Sequence, residues 1–75
     1  MLYTCYFFNW TTGEVVAAHR HANTAGNAIA TFRRKMRDTG TLQSGQLYNF
    51  FLYKGKRDLS DLPPDYMTAP RAVAR

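Results

Sequence analysis

Residues 3–10 read YTCYFFNW, a run rich in the aromatic residues that favour a pleated strand. Side chains alternate across a strand with period two, so Tyr3, Cys5, Phe7 and Asn9 share one face while Thr4, Tyr6, Phe8 and Trp10 share the other. A strand wetted on one side alternates apolar with polar residues. This one carries rings on both faces, which marks it as central in a sheet and asks what covers its second face.

Working outward, TTGE at 11–14 fits a short hairpin loop of Thr11, Thr12 and Gly13, with the glycine at positive φ. VVAAHRH at 15–21 then supplies a second strand, so residues 2–21 form a β-hairpin. In the next stretch Thr24 or Asn23 caps a helix that Gly40 closes in the left-handed conformation. Ala25, Ala28, Ile29, Phe32 and Met36 fall on one helical stripe, and Asn27, Thr31, Arg33, Arg34 and Arg37 lie around the other side. LYNFFLYK at 47–54 is a third strand of the same aromatic character as the first. Pro63 and Pro64 rule out a continuing helix or strand interior, leaving residues 58–75 as an irregular C-terminal tail behind a domain of residues 1–57. That tail either packs back through Leu59, Leu62, Tyr66 and Met67 or hangs free.

The order β-β-α-β predicts a small α+β domain. A helical crossover makes the third strand parallel to the second, and the simplest sheet sets it beside the first, antiparallel, in the order 2-1-3 with the helix on one face. A three-residue loop places Cys5 opposite His19, Phe7 opposite Ala17 and Phe8 opposite Val16; a change of one residue in the loop moves every pair. On that register Tyr3, Cys5, Phe7, Val15, Ala17, Tyr48, Phe50 and Leu52 face the helix. The other face keeps Tyr6, Phe8, Phe51 and Tyr53, more ring surface than one helix hides, and surface of that kind marks a contact site. Its cover is the tail, a second copy in a homodimer, or a partner.

The chain has 75 residues and a formal net charge of +5, with ten Lys or Arg against five acids. Eight of the ten basic residues lie within residues 1–57, against Glu14 and Asp38 alone. Such an excess draws a protein to acidic protein surfaces or phosphate backbones. Chemistry is poorly provided for. His19 and His21 share a strand face and Cys5 invites a third-ligand reading, but no fourth Cys or His and no carboxylate at a telling spacing accompanies them, so no metal site is expected. A lone cysteine in an apolar strand is an inert core thiol. No acid pair, phosphate loop or nucleophile elbow is present, which points away from an enzyme and from a cofactor.

The single cysteine excludes an internal disulfide, and neither a signal peptide nor a membrane span is visible, so a cytoplasmic, membrane-free location is expected. These readings converge on a small non-catalytic module or inhibitor that docks an acidic partner protein through Arg33, Arg34, Arg37, Lys54, Lys56 and Arg57, with Trp10 and Tyr53 as aromatic anchors. The alternative is sequence-tolerant nucleic-acid binding by the same cations and rings. In economy the chain resembles bacteriophage-encoded inhibitors of host machinery, short single-domain proteins that cover a functional surface. That likeness is one of size and general architecture; it implies an accessory role, involves no motif and carries over no residue.

Overall fold

A computed structural model describes residues 1–56, 63–69 and 71–72. Strand β1 (Leu2–Asn9) turns into β2 (Val15–His21), helix α1 (Ala25–Asp38) crosses one face, and β3 (Leu47–Lys54) returns beside β1. The sheet order is β2-β1-β3 with all pairings antiparallel, as the crossover argument requires. β1 is the central strand.

The expected irregular tail in part becomes sheet. The order 2-1-3 leaves the outer edge of β3 open, and unpaired N–H and C=O groups at a sheet edge recruit any extended segment within reach. β4 (Tyr66–Met67) takes the positions opposite Leu52 and Phe51, and β5 (Arg71–Ala72) those opposite Tyr48 and Leu47. Between these pairs the tail spans one residue more than β3, and Thr68 bridges the mismatch. Its backbone N–H donates to the Phe50 carbonyl at 3.0 Å and its Oγ1 accepts from the Phe50 N–H at 2.9 Å. Leu59 and Leu62 lie outside the described residues.

The hairpin register differs from the expectation by one residue: Cys5 pairs with Ala18, Phe7 with Val16 and Phe8 with Val15. The cause is the turn. Asn9, nearly sealed from solvent, uses its Oδ1 to accept from the N–H groups of Thr11 (2.8 Å) and Thr12 (3.0 Å), while its Nδ2 donates to Gln46 Oε1 at 2.7 Å. This side chain winds the chain into a four-residue loop of Trp10 to Gly13, closed by Asn9 N–H to Glu14 O at 2.9 Å, with Gly13 at φ 80°. Val16 and Ala18 therefore join the helix-facing set in place of Val15 and Ala17.

α1 forms because its ends are satisfied and one stripe is apolar. Thr24 Oγ1 accepts from Asn27 N–H at 3.1 Å, and at the other end Gly40 (φ 77°) donates to Arg37 O while Thr41 donates to Met36 O. Ala28, Ile29, Phe32 and Met36 then bury against Tyr3, Cys5, Phe7, Phe50 and Leu52. The rings interlock, with Phe50 lying 5.7 Å from Phe7, 5.8 Å from Phe32 and 5.6 Å from Tyr48 between centroids. No helix of the described residues is long and apolar enough to cross a membrane.

The second sheet face is less open than its ring content suggests. Tyr6 and Tyr53 meet edge-on at 5.8 Å and are almost closed to solvent, and Phe8 and Phe51 are half-buried. Exposure on this side concentrates toward the hairpin end and the β4 edge, in Trp10, Val15, Leu47 and Met67.

Because Asn9 sets the loop length, replacing it by Ala removes at once the oxygen that accepts two turn N–H groups and the amide that donates to Gln46. Asn9→Ala is expected to lower unfolding stability by about 1.5–3 kcal/mol, and Asn9→Asp, which keeps the accepting oxygen, by less. Urea denaturation measures both. A cost for Asn9→Ala inside experimental error would show that the turn closes without this side chain.

Candidate binding site

The outer side of α1 is cationic by composition and by position. Arg34, Lys35 and Arg37 are exposed, its first turn carries no acid, and the last-turn bases Lys35 and Arg37 complement the helix dipole. Arg33 behaves differently. It follows Ile29 by one turn, at the border of the buried stripe, where a long side chain lays its stem along apolar surface and keeps its head at the edge. Its guanidinium carbon sits 5.3 Å from the centre of the Phe50 ring, a cation–π contact, and among the described residues no acceptor meets its buried Nε.

β4 completes a cavity beside that guanidinium. Tyr66 pairs with Leu52, whose side chain faces the helix, and Thr68 is bonded to Phe50, so both extend the helix-facing side of the sheet past β3. The space between them and α1 has a volume of about 310 Å³ and is lined by Arg33, Tyr66, Met67, Thr68 and Ala69. Thr68 is held on three sides: by the two Phe50 bonds and by its carbonyl, which accepts from Asn49 Nδ2 at 3.3 Å. Asn49, itself buried, takes the Trp10 Nε1–H on its Oδ1 at 2.9 Å, which ties the hairpin end to the tail.

The residues proposed from sequence do not form one surface. Arg33, Arg34 and Arg37 share α1, but only Arg33 lines the cavity. Lys54 is exposed at the end of β3 opposite Tyr3, with its backbone N–H donating to Asp65 Oδ2 at 2.8 Å, and exposed Lys56 follows. Both sit toward the start of α1, away from its basic C-terminal half. Arg57 lies outside the described residues. Trp10, 53% exposed, stacks edge-on against Phe8 at 4.8 Å on the face away from the helix. Tyr53 is on that same face and 2% exposed, so its ring is a packing element and offers no anchor.

The residues that sequence reasoning passed over are Tyr66 and Thr68. Tyr66 was legible only as an aromatic in the tail, and nothing local to either residue announces pairing with β3.

A shared metal site for Cys5, His19 and His21 loses its geometry to the register. Cys5 points into the core opposite Ala18, whereas His19 and His21 project from exposed positions on the other face. Among the described residues no three His, Cys, Asp or Glu side chains are grouped to hold a metal ion. Burial pushes the Cys5 thiol above its ordinary pKa, and the charge of Arg20 pulls it part of the way back.

A thiol whose folded pKa is raised stays protonated after the unfolded chain has begun to ionise, so its stabilising effect is complete below the unfolded pKa and is lost as pH rises through the folded one. Unfolding stability is therefore expected to fall as pH rises past the ordinary thiol value of about 8.5, and a Cys5→Val variant to lack that part of the decline. A thiol reagent should modify the native protein only as fast as it opens. Labelling at the rate of a free cysteine would contradict this burial.

No family model, curated protein or solved structure matches this chain.

Proposed function

We propose that this chain is a small non-catalytic binding module that docks an acidic surface of a partner protein through the outer side of α1. The observation that carries the reading is the disposition of charge along that helix: Arg34 and Arg37 are exposed on its outer side, Lys35 is exposed on one flank, Arg33 borders the cavity on the other, and Asp38 at the end is the helix's one acid. Cations spaced along one element attract a complementary surface from a distance and orient the encounter. Exposed Tyr66 beside Arg33 supplies the aromatic neighbour that Tyr53, buried, does not. An inhibitory or accessory role, of the sort the phage-encoded proteins have, follows where the docked surface is a functional one.

Nucleic-acid binding by the same residues asks for rings and cations on one track, so that bases stack while phosphates are neutralised. Here Trp10 and Phe8 lie on the far side of the sheet from α1, which weighs toward a protein partner.

Fluorescence anisotropy with labelled polyglutamate and with a labelled single-stranded oligonucleotide, each over a salt series, tests the reading. Polyglutamate is expected to bind and to release with salt, and Arg34→Glu with Arg37→Glu to weaken it by about tenfold or more while the fold is kept. An oligonucleotide that binds more tightly than polyglutamate at every salt, with a steep logarithmic salt slope, would move the assignment to nucleic acid.

A further inference from the structure

We propose that the cavity between α1 and β4 is a carboxylate-binding site, which takes one Asp or Glu side chain of an acidic peptide segment onto Arg33 and Thr68. The proposal rests on the reading of α1 as a surface for acidic partners and names the contact that would anchor it.

Three features make this cavity more than a gap. First, Arg33 lines the cavity with its guanidinium carbon 5.3 Å from the centre of the Phe50 ring; its Nε is covered and, among the described residues, meets no acceptor, so a ligand in the cavity would meet the terminal nitrogens. A guanidinium presents its donors in a planar fork that matches the two oxygens of a carboxylate, and a ring beneath it presets the plane. Second, Thr68 is fixed by its backbone bonds to Phe50 and Asn49, and its Oγ1 already accepts the Phe50 N–H, so the hydroxyl proton is left to donate. A hydroxyl proton beside Arg33 adds a second donor for an oxygen acceptor, and an ionised carboxylate supplies two such oxygens. Third, the charge count suits a monoanion. Arg33 is the only cation among the described residues that line the cavity, and a phosphate dianion there would be half neutralised. A volume of about 310 Å³ admits an acidic side chain with part of its backbone, with Tyr66 and Met67 to cover the methylenes.

Arg34, Lys35 and Arg37 play a different part. Exposed on the helix, they attract acidic segments without fixing any one residue, whereas Arg33 and Thr68 give the segment a register.

The test is a ¹H–¹⁵N NMR titration of the full chain, following the Arg33 Nε–Hε signal and the Thr68 amide. The probes are a blocked Gly–Glu–Gly–Glu–Gly peptide, its Gln-for-Glu counterpart and inorganic phosphate. The Glu peptide is expected to shift both signals saturably and the Gln peptide to leave them in place. Arg33→Lys, which keeps the charge but loses the planar fork, is expected to bind the Glu peptide about tenfold more weakly. The comparison of the Glu and Gln peptides needs no variant, so it decides the matter even if Arg33→Lys perturbs the fold. Shifts confined to Arg34, Lys35 and Arg37 would overturn the carboxylate site while leaving the basic helix as the docking surface. Phosphate acting at Arg33 as strongly as the Glu peptide would overturn the choice of a carboxylate. Silence at every helix residue would overturn the site and the docking surface together.

Discussion

The structure turns on the Phe50 ring. It is completely buried, and its neighbours come from the central strand, the helix and its own strand: Phe7, Phe32, Tyr48 two residues away, and the Arg33 guanidinium lying over it. Its backbone, meanwhile, exchanges both hydrogen bonds with Thr68. One residue thus joins the hydrophobic core, the inward-turned cation and the strand that the tail adds to the sheet. Aromatic pairs of this kind each contribute about 0.5–1.5 kcal/mol beyond the area they bury, which matters in a chain short enough for its core to be only marginally sufficient.

A single helix covers one face of a sheet, and that constraint sorts the rest of the surface. The helix side takes the larger part of the apolar core and presents cations outward. On the other side Tyr6 and Tyr53 are packed, and apolar exposure is left at Trp10, Val15, Leu47 and Met67. Charge and exposed rings are thereby separated across the thickness of the sheet. Among the described residues they meet again at the β4 edge, where Tyr66 and Arg33 line one cavity.

The central position of β1, the order of the three long strands, the helix and both its caps were legible in the sequence, because each rests on a local signal: rings on both strand faces, a 3.6-residue stripe, Thr24 and Gly40. The register was not, since Thr11, Thr12 and Gly13 suit loops of three or four residues alike and the deciding group is the Asn9 side chain, whose place in the strand alternation gives no sign of its bonds to the turn. The short strands of the tail were hidden for another reason. Their pairing is set by the open edge of β3, a consequence of topology, and Pro63 and Pro64 obscure any periodicity nearby. Of the candidate site, the cationic side of α1 could be read directly. The inward turn of Arg33, the burial of Tyr53 and the roles of Tyr66 and Thr68 follow only from packing.

Nuclear Overhauser contacts between the Arg33 side-chain δ protons and the Phe50 ring protons test this arrangement most directly. Such contacts are expected, together with an upfield displacement of those protons by the ring beneath them. Arg33 protons at the averaged positions of a freely moving side chain, without contacts to Phe50, would contradict it.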